Sequence, residues 1–290
     1  LIEKNGGDAA RETMTVLRTK NGAAYFTDSE GGAWRVYPFV ENTLCLQKAK
    51  TPELFYASAK AFGNFQRMLK DYPADTLFET IEKFHDTENR LANFEKALAA
   101  DKLGRAKDCA SEIAFVKAHA ADCSVALEAL RAGRLPLRVT HNDTKLNNVL
   151  LDAATRQALC VIDLDTVMPG SSLYDFGDSI RFGAATAAED EKDLSKMEMS
   201  LDRFRVFTRG YVRACPGLTA KELELLPMGA KTMTMECGVR FLTDYLDGDH
   251  YFAVHREGQN LDRCRTQFKL VADMEKKWDE MRKIVEEESR

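Results

Sequence analysis

One short stretch, THNDTKLNNVLLD (Thr140–Asp152), constrains the fold and the function of this chain more than any other part of its sequence. Its polar side chains crowd into eight positions and comprise His141, Asp143, Lys145, Asn147 and Asn148. The apolar run Val149–Leu151 follows them directly. A polar loop that leads into a buried strand presents its side chains from a rigid scaffold, which is where catalytic groups usually lie.

A second acidic cluster follows this stretch in ALCVIDLDTV, where Asp163 comes directly after an apolar run. The turn at Ala153–Gln157 separates that run from the first one. We therefore predict a β-hairpin formed by Val149–Asp152 and residues 159–162. The other acidic residues of the region are Asp165 and, in the cluster YDFGD, Asp175 and Asp178.

This arrangement supplies what phosphoryl transfer requires. A carboxylate must orient the attacking hydroxyl and accept its proton, and two oxygen ligands must hold Mg²⁺ against the nucleotide phosphates. Mg²⁺ is typically bound by one or two carboxylates together with phosphates and waters. In the pattern H-x-D-x-x-x-x-N followed by V-I-D, Asp143 is the candidate base. Asn148 and Asp163 are the candidate Mg²⁺ ligands, because they lie at the ends of one hairpin.

Several polar residues of the region have a structural alternative. Asp143 alone could cap a turn, but the full pattern together with V-I-D has few structural explanations. We interpret His141 as a hydrogen-bonding partner that orients the loop, whereas Lys145 either contacts a phosphate or is solvated. We interpret Asp175 as a support of the loop rather than a metal ligand, because Asp163 fits the metal role better. Three residues are candidates either for binding acceptor hydroxyls or for supporting the loop: Asp165, Asp178 and Arg181.

The N-terminal region predicts a small antiparallel β unit. Residues 11–40 contain β-prone runs separated by Asn21-Gly22 and by a second turn at Asp28–Gly32. Asn-Gly between such runs is a strong hairpin signal. We therefore expect a three-stranded meander of TMTVLRT, AAYFT and AWRVYPFV that ends near Val40.

The rest of the chain predicts a larger and mostly helical unit. Residues 51–134 have apolar positions at helical spacing, residues 135–167 return to short strands, and the chain after Gly183 is helical. This order of elements indicates an α+β protein with two lobes rather than alternating βαβ units. We expect residues 1–42 to form the small β lobe and hinge, and residues 43–290 the helical large lobe with the catalytic hairpin loops.

Composition argues against several classes of partner and site. The net charge is −5 and no long Lys/Arg cluster occurs, which argues against nucleic acid. No apolar run approaches the roughly 20 residues of a membrane helix. The seven cysteines are odd in number and contain no C-x-x-C, which indicates reduced thiols in the cytoplasm rather than disulfides or a zinc site. The chain starts with Leu1 rather than methionine, so we expect it to begin inside a longer gene product.

The two motifs THNDTKLNNVLLD and CVIDLDT resemble those of the aminoglycoside phosphotransferase and choline kinase family, whose fold is that of protein kinases. The resemblance extends from about residue 34 to residue 252. The longer string IDLDTVMPGSSLYDFGDSIRFGA, with FHDT at Phe84–Thr87 and RFLTDYLDGDHYF at Arg240–Phe252, is similar to N-acetylhexosamine 1-kinases, which make sugar 1-phosphates for salvage.

The resemblance implies a role for each matching residue. Asp143 is the base, Asn148 and Asp163 hold Mg²⁺, and ATP is the co-substrate. The segment from Tyr37 to Glu41 is the hinge that contacts adenine, and Arg240 and Tyr251 line the sugar pocket. The hinge residues assigned to the nucleotide are Tyr37, Phe39 and Glu41. The sequence departs from the family because no Gly-rich loop and no strand lysine precede Trp34, so we expect the first strands of the small lobe to be missing.

Arg240 also bears on the acceptor. A site for choline or an aminoglycoside holds a cation and needs carboxylates or aromatic faces, whereas an arginine is acceptable in a sugar site. This favours a neutral hydroxylic acceptor, and the closer resemblance implies an N-acetylhexosamine phosphorylated on its anomeric hydroxyl. Two alternatives stay open. One is a kinase of the same fold that acts on choline, ethanolamine, homoserine or an aminoglycoside. The other is a catalytically inactive, kinase-like binding module, against which the intact catalytic set argues.

Overall fold

A computed structural model describes residues 1–290 of the chain. Its seven short strands are β1 (Phe26–Thr27), β2 (Ala33–Trp34), β3 (Thr43–Cys45), β4 (Arg138–Thr140), β5 (Val149–Asp152), β6 (Ala158–Val161) and β7 (Met168–Gly170). Its ten helices are α1 (Ala9–Glu12), α2 (Pro52–Met68), α3 (Thr87–Ala100), α4 (Ala110–His119), α5 (Val125–Arg131), α6 (Ser172–Gly183), α7 (Leu201–Ala214), α8 (Ala220–Asp247), α9 (Gln259–Lys276) and α10 (Trp278–Glu288). The α+β class predicted from the sequence is confirmed. None of the helices combines the length and the apolar character needed to span a membrane.

The N-terminal region contains one of the two predicted hairpins. Strands β1 and β2 pair antiparallel around the turn at Asp28–Gly32, where the Asp28 carboxylate accepts a hydrogen bond from Gly32 N at 2.7 Å. The predicted first strand of the meander is wrong, because TMTVLRT forms only a single bridge, Leu17 with Val36. Both residues of that bridge are at least half exposed, so no buried apolar face stabilises a longer strand there.

The predicted central hairpin is confirmed, and it gains a third strand. Strands β5 and β6 pair antiparallel with Val149 opposite Val161, and Val149 and Leu151 are fully buried. Strand β3 pairs antiparallel with the other edge of β5, so the sheet has the order β3-β5-β6. The sequence did not predict β3 or β7. Strand β7 pairs with β4, which lies within the predicted strand LPLRVT.

Helices α6 and α8 pack closely because glycines face each other across their contact. A Cβ atom on Gly177 would lie 2.3 Å from the carbonyl oxygen of Gly229. Any larger side chain at Gly177 therefore requires the two helices to separate. This contact fixes α6, which carries Asp175 and Asp178, against the long helix α8.

Helix α8 is the longest helix of the chain at 28 residues, and its ends are well defined. Thr219 and Glu222 form a capping box at its N-terminus, and Gly248 ends it with φ of +116°. Its central part is buried and carries Glu236 and Arg240 on one face, four residues apart. The fold thus brings α6, α8 and the loop between β4 and β5 together.

Candidate active site

The loop that follows β4 is held by two carboxylates of helix α6. Asp175 accepts hydrogen bonds from His141 N at 3.0 Å and from Asn142 N at 2.8 Å. Asp178 accepts one from Thr144 N at 3.0 Å. Backbone amides on both sides of Asp143 are therefore bound to carboxylates of α6.

The two carboxylates have opposite electrostatic environments. Burial raises the pKa of Asp175, against the opposing effects of His141 and the backbone donors. Burial would also raise the pKa of Asp178, but the cations Arg181 and Lys145 outweigh it and hold that pKa below its usual value. Asp178 is thus stabilised as an anion directly beneath the loop.

Replacing Asp175 by asparagine is expected to destabilise the protein. The amide group keeps the volume of the side chain but turns an N–H donor toward a backbone N–H. A buried donor without a partner costs about 1–3 kcal/mol, so the free energy of unfolding should fall by about that amount. Urea denaturation measures it. The matched control is Asp71→Asn, an exposed position without polar partners, and an equal effect in both variants would contradict the role of Asp175.

Asp143 lies at the front of the loop and is half-buried. Its Oδ1 pairs with the Lys145 ammonium at 2.7 Å, and its Oδ2 accepts a hydrogen bond from Asn148 Nδ2 at 3.1 Å. Burial lowers the pKa of Lys145, but the Asp143 carboxylate outweighs this effect and raises it overall. Lys145 is therefore a fixed positive charge beside the candidate base.

His141 connects this loop to the end of strand β6. Its ring is buried, its Nε2 donates to the Ile162 carbonyl at 2.9 Å, and its Nδ1 accepts from Asp143 N at 3.3 Å. One ring nitrogen thus faces a carbonyl oxygen and the other a backbone N–H. His141 thus fixes the backbone of Asp143 relative to the residue that precedes Asp163.

Asn148 and Asp163 lie at the open end of the β5–β6 hairpin. Ile162 N donates to the Asn148 carbonyl at 2.9 Å. Asn148 therefore lies opposite the residue that precedes Asp163. The Asp163 carboxylate is exposed and forms no hydrogen bond or ion pair within the protein. Asn148 donates through its Nδ2 to Asp143, which leaves its Oδ1 available. A free carboxylate and a free amide oxygen form a donor set that suits Mg²⁺.

Asp163 has a left-handed backbone conformation, with φ of +61°. This conformation is uncommon for a residue with a side chain and is tolerated best by aspartate and asparagine. It ends strand β6 and precedes a 3₁₀ turn at Leu164–Thr166. Backbone strain at an unpaired carboxylate is a common property of ligand-binding positions.

A second polar group lies around Arg240 on α8. Its Nη2 donates to the Tyr251 hydroxyl at 3.3 Å, and its guanidinium lies 5.5 Å from the centre of the Phe84 ring and 5.4 Å from that of Phe252. The buried Asp244 carboxylate accepts hydrogen bonds from the backbone N–H groups of residues 250–252 at 2.8–3.0 Å. Asp244 therefore fixes the position of Tyr251 beside Arg240.

Asp178 and Arg181, two further candidates for the acceptor, bind each other. The Arg181 guanidinium contacts Asp178 Oδ1 at 2.9 Å and Glu189 Oε1 at 2.7 Å, and both Asp178 and Arg181 are buried. Their polar atoms are therefore engaged within the protein. Of the two roles left open by the sequence, this geometry favours support of the loop.

The residues assigned to the nucleotide lie in the irregular segment that joins β2 to β3. Tyr37 is half-buried, Phe39 is 87% exposed, and the Glu41 carbonyl accepts a hydrogen bond from Arg11 at 3.0 Å. Arg35, just before this segment, forms an ion pair with Asp165. The N-terminal region is thus tied to the turn that follows Asp163.

Three residues at this site, Gln66, His85 and Glu236, carry no sequence signal that by itself predicts a role. Gln66 of α2 donates to Asp175 at 2.6 Å, and Glu236 pairs with both His85 and Arg240. His85 belongs to the FHDT string, but nothing in its neighbourhood along the chain indicated its partner. Only the spacing of Glu236 and Arg240, one helical turn apart, was a usable signal.

A third cluster, His119, Asp122 and Glu275, has three potential metal ligands within 4.8 Å of one another. The Lys231 ammonium lies 2.7 Å from both Asp122 and Glu275. A lysine already forms ion pairs with both carboxylates of this cluster.

The cysteines show no sign of nucleophilic chemistry. None forms a disulfide, and five of the seven are buried. Burial raises the pKa of Cys123 to about 12 and that of Cys160 to about 11. Thiols with such values stay protonated at neutral pH and are not reactive.

The fold and the site together define a phosphotransferase. The carboxylate of Asp143 and the free oxygens of Asn148 and Asp163 match the base and metal ligands that phosphoryl transfer requires. The chain belongs to the phosphotransferase enzyme family, whose sequence profile matches residues 10–199. The family and the enzyme class predicted from the sequence are confirmed.

Solved structures support the kinase-like fold. An aminoglycoside phosphotransferase from Alicyclobacillus acidocaldarius superposes with a TM-score of 0.57 at 13% identity over 99% of this chain and 80% of its own. The microcompartment-associated aminopropanol kinase has a TM-score of 0.51 at 15% identity, over 93% of this chain and 77% of its own. The Plasmodium vivax ethanolamine kinase has a TM-score of 0.51 at 13% identity, over 88% of this chain and 68% of its own. At such identities the similarity concerns the fold alone.

Proposed function

We propose that this chain is a sugar 1-kinase that transfers the γ-phosphoryl group of ATP to the anomeric hydroxyl of an N-acetylhexosamine. The observation that carries the proposal is that Asp143, Asn148 and Asp163 lie at one hairpin end, while the Arg240 guanidinium lies among aromatic rings. The family supplies the phosphotransferase chemistry, and the pocket around Arg240 supplies the choice of acceptor.

Each side chain has a distinct task in this proposal. Asp143 orients the acceptor hydroxyl and accepts its proton, and Lys145 holds the Asp143 carboxylate and offsets negative charge on the transferred group. Asn148 and Asp163 would hold Mg²⁺, which when bound neutralises charge on the phosphates. His141, Asp175 and Asp178 keep the loop in place, so that no reorganisation is needed at the moment of transfer.

The choice of acceptor follows from charge. The carboxylate that pairs with Arg240 is Glu236, which is buried and already bound to His85. Arg240 would therefore repel an ammonium group, whereas it can donate hydrogen bonds to the hydroxyl or acetamido oxygens of a sugar. An anomeric hydroxyl is also more acidic than an ordinary alcohol, so its proton passes more readily to a carboxylate base.

The proposal also divides the chain into two functional parts. Residues 1–42, with the β1–β2 hairpin, are the part of the small lobe and hinge that contacts the nucleotide through Tyr37, Phe39 and Glu41. Residues 43–290 form the large lobe, because β3 already pairs with the catalytic hairpin. The Arg35–Asp165 ion pair joins the two parts beside the candidate metal ligand.

Replacing Arg240 by alanine is expected to raise the KM for the sugar by at least about tenfold, because a hydrogen bond to a charged donor contributes ~1.5–3 kcal/mol. The KM for ATP should change little. Steady-state kinetics with N-acetylglucosamine and with N-acetylgalactosamine measure both constants. The control is Arg282→Ala, an exposed arginine of α10 without an ion pair. An unchanged sugar KM in Arg240→Ala would refute this acceptor pocket.

A further inference from the structure

His85 bridges the catalytic loop and a buried carboxylate. Its Nε2 lies 3.0 Å from the carbonyl oxygen of Asn142, the residue before Asp143. Its Nδ1 lies 3.0 and 3.1 Å from the two oxygens of Glu236 on α8. His85 is 9% exposed and Glu236 only 1%, so water does not compete for these contacts. A single imidazole therefore joins two elements that are far apart in sequence.

The partners of His85 determine its protonation state. A carbonyl oxygen and an ionised carboxylate only accept hydrogen bonds, so both ring nitrogens must carry a proton to satisfy them. Burial lowers the pKa of His85, but the Glu236 carboxylate and the Asn142 carbonyl outweigh it and raise the pKa above its usual value. Burial likewise opposes ionisation of Glu236, whose pKa is nevertheless lowered by His85 and Arg240. The geometry and the charges both indicate an imidazolium–carboxylate pair.

Glu236 has a second cationic partner. Its Oε1 lies 3.7 Å from Arg240 Nη1, one turn further along α8. The same carboxylate thus contacts the ring that holds the catalytic loop and the guanidinium assigned to the acceptor. Other titratable and charged groups surround this pair. Asp86 and Arg90 come from the start of α3, and Tyr174 and Asp178 come from α6. The remaining groups are Cys123, Arg240 and Tyr251.

We propose that His85 and Glu236 are positioning residues. Through one shared buried carboxylate they fix the loop of the catalytic base and the acceptor-binding arginine relative to each other. This inference rests on the proposed role of Arg240 in binding the acceptor. A doubly protonated ring fixes the Asn142 carbonyl, and Asn142 itself has a left-handed backbone with φ of +65°. Loss of the ring proton frees one of its two contacts and lets the residue before Asp143 shift. A displacement of about 1 Å at a reacting group can lower the rate by roughly 10²-fold.

The pair also gives a definite sign of pH dependence. The folded-state pKa of His85 is raised, so its stabilising effect is complete below the ordinary histidine value and is lost as the pH rises through the raised value. The folded-state pKa of Glu236 is lowered, so its effect is present above the ordinary glutamate value and is lost as the pH falls through the lowered value. The pair is therefore intact between the lowered pKa of Glu236 and the raised pKa of His85.

The variant Glu236→Gln removes the negative charge at residue 236 but can keep its hydrogen bond to His85. The amide can donate to Nδ1 of a neutral ring, while Nε2–H still donates to the Asn142 carbonyl. The variant keeps the packing and both hydrogen bonds, but it removes the negative charge that favours the second proton on the His85 ring. His85→Gln cannot make both contacts at once. Glu280→Gln, at an exposed position of α10 without polar partners, is the matched control.

The first test is ¹⁵N NMR of the histidine side chains in the full chain, which needs no acceptor. At about pH 7.5 an ordinary histidine is mostly neutral. We expect one histidine with two protonated ring nitrogens at that pH, absent in His85→Gln and with a clearly lowered pKa in Glu236→Gln. Glu280→Gln should match the wild type. A neutral His85 ring in the wild-type protein would overturn the proposal.

The second test is the pH profile of kcat with N-acetylglucosamine as acceptor. In the wild type, kcat should fall where NMR shows His85 losing its proton, and this step should be absent in Glu236→Gln. We expect Glu236→Gln to raise the sugar KM about tenfold with the ATP KM unchanged, because Arg240 loses its charged partner. Unchanged sugar KM and an unchanged profile would refute the shared carboxylate. If the wild type does not phosphorylate the sugar, the proposed function fails, and the NMR test still decides the state of His85.

Discussion

Asp143→Asn is expected to lower kcat by about 10²–10⁴-fold, the usual contribution of a general base. The asparagine retains the size and the hydrogen bond to Asn148 but cannot accept the proton of the acceptor hydroxyl. Nucleotide affinity should stay nearly unchanged, because the contacts of Asp143 are to Lys145 and Asn148 within the loop. Steady-state kinetics and calorimetric titration with ATP measure the two quantities.

The matched control is again Asp71→Asn, which changes an exposed aspartate without polar partners and should leave kcat as it is. Retention of more than about a tenth of wild-type turnover in Asp143→Asn would mean that another residue, or none, acts as the base. A loss of ATP affinity equal to the loss of kcat would instead indicate that the loop has collapsed.

Asp163→Asn is expected to weaken the binding of a divalent metal strongly and to lower kcat by roughly 10²-fold or more, because a neutral amide replaces the only free carboxylate at the hairpin end. Asparagine tolerates the left-handed backbone of this position, so the substitution changes the charge and not the fold. The side chain has no partner in the protein, and the stability of the chain should stay within about 0.5 kcal/mol of the wild type.

Binding of Mn²⁺ in the presence of a nucleotide, followed by electron paramagnetic resonance, tests this role without relying on turnover. Asp165→Asn provides a comparison two residues away, because Asp165 is paired with Arg35 rather than free. Equal Mn²⁺ affinity in Asp163→Asn and the wild type would remove Asp163 from the metal site.

The parts of the fold that the sequence predicted are those whose signals are local. The polar loop, the hairpin of β5 and β6 and the long C-terminal helices each come from one continuous pattern. Strand β3 was missed because it is only three residues long and pairs with Leu150–Asp152, more than a hundred positions away. The first strand of the N-terminal meander was overpredicted, because its β-prone residues find no apolar face to cover.

The same distinction holds for the site. The candidate base and metal ligands lie within one window of the chain, so their spacing alone placed them on a single hairpin. The partnership of His85 with Glu236 joins residues 151 positions apart, and a lone histidine gives no sign of such a partner. Buried ion pairs of this kind are visible only once the helices are packed, because the fold and not the sequence spacing brings their charges together.

The most direct test of the proposed function is the identity of the phosphorylated product. The protein is incubated with ATP, Mg²⁺ and one acceptor at a time: N-acetylglucosamine, N-acetylgalactosamine, choline, ethanolamine, homoserine or an aminoglycoside, and the products are followed by ³¹P NMR. We expect an N-acetylhexosamine to turn over fastest and its phosphate to be on the anomeric oxygen. Faster turnover of an amine-bearing acceptor, or phosphate on another hydroxyl of the sugar, would contradict the proposed acceptor. No transfer to any acceptor would contradict the enzymatic role itself.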